Sequence, residues 1–394
     1  MAVLAIGDIG VVSDMMHIGD EAMFEAARDE LAARGVDVVG VSSAPEESAA
    51  RYGVRTVSRM GFVGLDRDAA ERRAARLVAA ARGEADLAGD DPARGVLGEL
   101  DAASGLLNAG GGNLASRWPV HIYERSTLAA MARARGLPVV VSGQTFGPDL
   151  EPADAARVAE LVRTAALTST RESDSAALVR GWGAEAVVTV DDASFLGWPR
   201  RSTDAAGPVL VSLSGWFAHR PADEVEQRIA AVLDRAVRDV GPVVFHAHFG
   251  PLGSASEPSG DTALHERIRA RMSEPSRVEP TGDSLGAASL ARSARLLVTG
   301  RYHPAVFAAP AGVPIVALAA DDYTRIKLGG ALGHWGQDTV LDLDDLADAG
   351  AAAGALARAA GSRETVSARA AERFDAHRAT ASRWWDAVAR TFSR

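Results

Sequence analysis

The chain has 394 residues, 47% apolar and 24% charged, so it is long enough for two cores and too hydrophobic to be disordered. A net charge of −10 without any concentrated run of Lys and Arg excludes a nucleic-acid partner, and the lack of cysteine excludes disulfides, thiolate metal sites and a cysteine nucleophile. Met1–Ile6 runs into Gly7-Asp8 without a basic start, and no uncharged apolar segment reaches roughly 18 residues, so a cytoplasmic protein with no signal peptide and no transmembrane segment is expected.

In chain order, Ala2–Ile6 reads as a first strand. Asp20 then caps a helix with Met23, Ala26, Ala27 and Leu31 on one face, stopped by Gly35. Strands follow at Val36–Val41, Gly105–Asn108, Pro138–Ser142 and Ala186–Val190, with helical stretches between most of them. The segment from about Ala69 to Ala103 is rich in Ala and Arg and carries no visible chemistry. The polar stretch Gly197–Gly207, with Pro and Gly, interrupts the rhythm and reads as a linker. A second series begins at Pro208–Leu213 and continues at Pro242–His248, Arg295–Thr299, Pro314–Leu318 and Thr339–Leu343. Gly350–Arg394 reads as one or two helices, with Trp384 and Trp385 docking onto a domain surface. Strand–helix alternation throughout predicts an α/β protein of two mostly parallel sheets, with domains at 1–197 and 208–394 and the last helices packing back on the first domain.

The unusual residues cluster just after these strands, where the loops of a parallel sheet converge on a ligand. They include Gly7-Asp8, His17–Ala22, Ala109–Asn113, Ser142–Pro148, Asp191-Asp192, His246 to His248 and Gly300–Pro304. The run Gly110-Gly111-Gly112 fits either a tight strand-to-helix turn or close backbone approach to an anion. No dinucleotide or Walker A pattern is present. Asp20 and Glu21 fit first-turn acids as well as ligand contacts. His246 and His248 alternate on one predicted strand, but no third residue completes a metal site. Pro304 suits the first helical position, which places His303 at an N-cap as a neutral imidazole able to take a proton, beside Arg301.

Taken in order, several segments resemble the polysaccharide pyruvyl transferase family. These are Ile18-Gly19-Asp20-Glu21-Ala22, Gly110-Gly111-Gly112-Asn113, Ser142-Gly143-Gln144-Thr145-Phe146-Gly147-Pro148, Thr170-Arg171-Glu172-Ser173, Asp191-Asp192-Ala193, Arg301-Tyr302-His303, Ala311-Gly312-Val313-Pro314 and Tyr323-Thr324-Arg325-Ile326-Lys327. The resemblance implies two Rossmann-like domains in a GT-B-like arrangement, acceptor side first and donor side second, with the ligands in the cleft between them. It implies phosphoenolpyruvate as co-substrate, a sugar-containing acceptor and a pyruvate ketal as product, with no cofactor and no metal. Such a donor needs a guanidinium fork, for which Arg301 and Arg171 are the candidates, with Lys327 as a further cation. His303 is the candidate general acid or base. Gly111, Gly112 and Asn113 would position the acceptor, with Asp20 and Gln144 bonding its hydroxyls. One departure is Met15-Met16-His17, where many relatives carry Asn, which leaves the acceptor and the ketal outcome open. Two other readings remain: a glycosyltransferase using a nucleotide sugar, and a non-catalytic sugar-phosphate binder. Self-association into a homo-oligomer also stays open.

Overall fold

A computed structural model describes residues 1–198, 207–253 and 257–393. Most of the expected linker, residues 199–206, lies outside them. The chain forms two compact units: Met1–Val12, Met23–Asp192 and Ala379–Arg394 make unit 1, while Ser13–Ala22 and Ala193–Arg378 make unit 2.

The strands are β1 (Ala2–Ile9), β2 (Met15–His17), β3 (Asp37–Ser42), β4 (Arg55–Ser58), β5 (Leu106–Asn108), β6 (Gly111–Leu114), β7 (Val139–Phe146), β8 (Leu167–Thr170) and β9 (Val187–Val188). They continue with β10 (Val209–Ser212), β11 (Val243–His246), β12 (Phe249–Pro251), β13 (Ser276–Glu279), β14 (Leu296–Thr299), β15 (Ile315–Ala319) and β16 (Val340–Asp342). Unit 1 has a parallel sheet in the order β4-β3-β1-β5-β7-β8-β9, with β6 branching from β7. Unit 2 has the order β13-β11-β10-β14-β15-β16. In each, successive strands grow outward in one direction and then in the other, so the order reverses between β1 and β5 and between β10 and β14. Doubly wound sheets bind ligands at such switch points, outside the carboxyl ends of the strands.

The central strands are apolar on both faces because helices cover both. Leu4, Ile6, Val39, Val41, Leu106, Val139 and Val141 face one core of unit 1. Val3, Ala5, Leu107 and Val140 face the other, together with Trp384, Trp385, Val388 and Phe392. These last four lie on the closing helix, Arg363–Phe392, whose final turns belong to unit 1. The Trp384 indole donates from Nε1 to Ser142 Oγ at 2.9 Å, and a Cβ on Gly105 would stand 2.3 Å from Phe392. Val209, Val211, Val243, Phe245, Leu296 and Val298 build the core of unit 2.

Three local expectations need correction. The first helix spans Ile18–Ala32, so Asp20 is its third residue and not its cap. The triple glycine forms no helix entry: Gly111–Leu114 is a short strand in register with β7, where Gly111 pairs with Gln144, and the next helix starts at Pro119. Finally, the first domain does not keep its early loop. Met15–His17 pairs antiparallel with Phe249–Pro251, which assigns Ser13–Ala22, with Asp20, to unit 2.

Candidate functional site

In unit 2 the carboxyl end of β14 leads through Gly300 and Arg301 into the helix Tyr302–Ala308. Arg301 is the N-cap, so His303 sits in the first turn with Pro304 behind it, rather than at the cap. Thr299 Oγ1 fixes the bend, accepting from the Arg301 amide at 3.0 Å and donating to the Ser212 carbonyl at 2.8 Å.

The His303 ring lies against the α-carbon of Gly19: a Cβ there would stand 1.9 Å from Nδ1. The early Gly-Asp segment and the late Arg-Tyr-His segment therefore meet in one place, with Asp20 in the same turn as Gly19. His17 stacks on Phe249 with ring centroids 4.0 Å apart, and its Nδ1 lies 4.0 Å from Asp20 Oδ2. The His248 carbonyl accepts from the Ile18 amide at 3.0 Å and holds the start of that helix. Lys327 completes the group. Its ammonium sits 4.5 Å from the Tyr323 ring centroid and 5.2 Å from that of Tyr302, and it donates to the Tyr323 hydroxyl at 2.9 Å. Tyr302 in turn meets His303 edge-on at 5.1 Å.

Arg301 does not stand alone. Asp261, almost fully buried, grips its Nε–Nη2 edge, with Nε to Oδ2 at 2.8 Å, and Asp261 Oδ2 also accepts from the Phe249 amide at 2.9 Å. The guanidinium is thereby fixed in direction and half neutralised. Asp261 carries no sequence signal, because it lies on a different helix from the motif it serves.

Behind this group lie three buried imidazoles, His246, His248 and His265. Desolvation pushes His246 down to about 4. Desolvation, then the Arg301 charge and His246, pushes His265 down to about 3. Desolvation, then the neighbouring His246, His303 and Arg301, holds His248 well below its usual range. All three are neutral near pH 7, and His265 Nε2 accepts from the Leu213 amide at 3.0 Å. β11 ends at His246, so the expectation that His246 and His248 share a strand fails; their rings meet edge to face at 5.2 Å. Among the described residues no group of three His, Asp or Glu could hold a metal ion.

Unit 1 holds the remaining expected residues. Arg171 is 1% exposed, with Nη1 on Asp191 Oδ2 and Nε on Thr145 Oγ1, both at 2.8 Å. These contacts tie it into the interior of the unit. Glu172 accepts from Thr145 Oγ1 at 3.1 Å and from Ser175, which ties the same motif into the unit. Asp192, half-buried, accepts from Ser142 Oγ at 2.8 Å. Desolvation and then the charge of Asp191 push it up to about 7. Gln144 is buried as well, with Nε2 on the Ala109 carbonyl at 2.5 Å and its Oε1 opposite Gly111.

Asn113 points elsewhere, into a cluster that sequence reasoning missed. At the end of β1, Asp8 receives Arg59 Nη1 at 3.0 Å, Asn113 Nδ2 at 3.5 Å and His121 Nε2 at 3.6 Å. Arg59 also grips the buried Glu124, with Nε to Oε2 at 2.9 Å, while Arg125 Nη1 lies 3.1 Å from His121 Nδ1. Burial alone would lower the Arg59 pKa, but Glu124 and then Asp8 outweigh it and raise it. Gly7-Asp8 after the first strand and Asn113 after the triple glycine were the hints in the sequence.

With this geometry in hand, comparison with known proteins is informative. The model of the polysaccharide pyruvyl transferase family matches residues 17–322. No curated protein matches the chain. Among solved structures, the kitacinnamycin glycosyltransferase is similar at 13% identity and a TM-score of 0.58, over 99% of this chain and 98% of that one. The UDP-GlcNAc 2-epimerase of Neisseria meningitidis, bound to UDP-GlcNAc, gives 9% identity and 0.58 over 94% of each. The spinosyn rhamnosyltransferase SpnG, complexed with spinosyn aglycone, gives 15% and 0.56 over all of both chains. At these identities the likeness shows the fold alone, an α/β fold of the GT-B kind. Among the described residues no helix is long and apolar enough to cross a membrane.

Proposed function

Because the chain belongs to the polysaccharide pyruvyl transferase family, and is a transferase, we propose that it moves the pyruvyl group of phosphoenolpyruvate onto hydroxyls of a sugar-containing acceptor. The observation that carries this reading is the contact of His303 with Gly19 in unit 2, with Arg301 two residues before that imidazole and Lys327 over the ring of Tyr302. Two fixed cations and an imidazole suit a donor that bears a phosphate, a carboxylate and an enol to be protonated.

In this scheme Arg301, aimed by Asp261, presents its Nη1 side to one oxyanion of the donor, and Lys327 serves the other as a point charge. C3 of the enol gains a proton and an acceptor hydroxyl adds to C2, losing its own proton. The C2–O bond to phosphorus then breaks and phosphate leaves. A second hydroxyl adds to C2 and its proton departs with the phosphate, closing the ketal. His303 handles one of these transfers, worth about 10²–10⁴ in rate. Arg171, held by Asp191, is not required for this grip.

Nucleotide-sugar transfer is the competing reading. It is favoured by Trp216, whose indole follows β10 at the switch point of unit 2, is 45% exposed and is held through Nε1 on Asp321 at 2.8 Å, a surface able to stack a base. The deciding experiment incubates the protein with phosphoenolpyruvate and a panel of sugars, follows free phosphate, and repeats this with Arg301→Ala and His303→Ala. Acceptor-dependent phosphate release that both variants lose supports pyruvyl transfer. Full activity in either variant removes that residue from the scheme, and a melting-temperature rise with UDP-sugars but none with phosphoenolpyruvate favours the competitor.

A further inference from the structure

The cluster around Asp8 has no assigned role, yet it sits where a doubly wound sheet takes its ligand. Asp8 is the last residue but one of β1, at the switch point of unit 1, and Asn113 is in β6. Arg59 follows β4, and the helix Pro119–Ala134 brings His121, Glu124 and Arg125 to the same place. Residues 121, 124 and 125 share a helix face by their spacing.

A purely structural ion pair accounts for only part of this arrangement. Glu124 is fully buried and already takes the Nε–Nη2 edge of Arg59, so that guanidinium is matched before Asp8 is counted. Asp8 is the outer carboxylate, 22% exposed against 0% for Glu124. Asn113 at 3.5 Å and His121 at 3.6 Å flank its Oδ2. His121 Nδ1 faces guanidinium donors from Arg125 at 3.1 Å and Arg59 at 3.4 Å, so it is the acceptor nitrogen, and the proton belongs on Nε2, facing Asp8. The formal charges balance, Arg59 and Arg125 against Asp8 and Glu124. An anion would have to displace Asp8, whereas a neutral ligand rich in hydroxyls can donate to its carboxylate and accept from Asn113 and His121.

We infer that unit 1 carries a site for a neutral polyhydroxy ligand, the ring hydroxyls of a carbohydrate, centred on the Asp8 carboxylate and flanked by Asn113 and His121. This deepens the reading above by naming the side chains that hold the acceptor, and it moves that role from Asp20 and Gln144 to Asp8. The cluster anchors hydroxyls; the proton-transfer roles stay with the group in unit 2.

The test uses the full chain and saturation-transfer NMR with methyl β-D-glucoside, methyl β-D-galactoside and methyl α-D-mannoside, each titrated alone. A parallel titration with phosphoenolpyruvate is read by melting temperature. At least one glycoside is expected to receive saturation from the wild type. Asp8→Asn, which loses the charged acceptor, should weaken it by about tenfold or more, and Asn113→Ala by about threefold. Both variants should keep the wild-type melting temperature to within a few degrees and the wild-type response to phosphoenolpyruvate. Arg301→Ala should show the reverse pattern, glycoside binding kept and the phosphoenolpyruvate response lost. The inference is overturned if no glycoside binds the wild type, if Asp8→Asn and Asn113→Ala bind as tightly as the wild type, or if inorganic phosphate displaces the glycoside competitively. Lack of any phosphoenolpyruvate response in the wild type strikes at the proposed function instead, and leaves the glycoside result standing by itself.

Discussion

Gly19→Ala is the sharpest single substitution that this structure suggests. Gly19 is the second residue of the helix Ile18–Ala32, where alanine is better by up to about 1 kcal/mol on propensity alone. A methyl group there would stand 1.9 Å from His303 Nδ1 and 2.5 Å from Cγ and Cε1. Since ordinary carbon contacts begin near 3.5 Å, the ring must retreat by about 1.5 Å or leave its rotamer. A displacement of about 1 Å at a reacting group costs on the order of 10²-fold in rate, or about 2.7 kcal/mol of barrier. Gly19→Ala should therefore melt within a few degrees of the wild type while kcat for phosphate release from phosphoenolpyruvate falls by about 10² or more. KM for the donor should move little, because Arg301 and Lys327 keep their own supports. A variant within twofold of the wild-type kcat would show that the His303 position carries no catalysis.

Other perturbations report on the buried charges. An unfolded histidine binds its proton near pH 6.5, but His265 in the fold does not until about 3. Between those values the unfolded state holds more protons, so stability should fall as pH falls, by up to about 1.4 kcal/mol per pH unit for this residue. His265→Gln keeps an acceptor for the Leu213 amide and cannot titrate, so the urea midpoint of unit 2 should depend less on pH between 4 and 6.5; identical profiles would contradict this. Asp192 has the opposite sign: with its pKa raised to about 7, the fold holds the extra proton, and stability falls as pH rises from about 4 towards 7. Asp192→Asn should raise the melting temperature at pH 8 more than at pH 5, and an equal change at both would refute the assignment. Asp191→Asn strands the buried Arg171 and should cost about 3–5 kcal/mol in chemical denaturation; a loss below about 1 kcal/mol would mean that the pair is not the brace described.

The sequence carried the alternation of strand and helix plainly, because strands buried on both faces read as short runs of Val, Leu and Ile, and glycines mark the turns. Short elements with weak patterns were not legible. Gly111–Leu114 has too little β propensity to announce a strand and forms one because it lies beside the long β7. Met15–His17 reads as a loop, and only its partner Phe249–Pro251, more than two hundred residues away, makes it a strand. The motif residues were legible as motifs but not as roles. His303 lies against Gly19, a contact that no local pattern announces, and Arg171, of the same residue type as Arg301, is buried against Asp191. Nothing local to Arg171 distinguishes a brace from a ligand fork. As a cluster, the group around Asp8 was not legible for a related reason: Arg59, Asn113 and His121 come from three separate elements, and only the sheet order brings them to the end of β1.

The central claim is that this transferase takes its group from phosphoenolpyruvate. The most direct measurement is the mass of a sugar acceptor after incubation with the protein and phosphoenolpyruvate, set against phosphate released in the same tube. The account predicts an acceptor heavier by one pyruvyl group, with one phosphate freed for each product and neither formed by His303→Ala. Unchanged phosphoenolpyruvate beside an acceptor that instead gains a sugar from a nucleotide donor would contradict it.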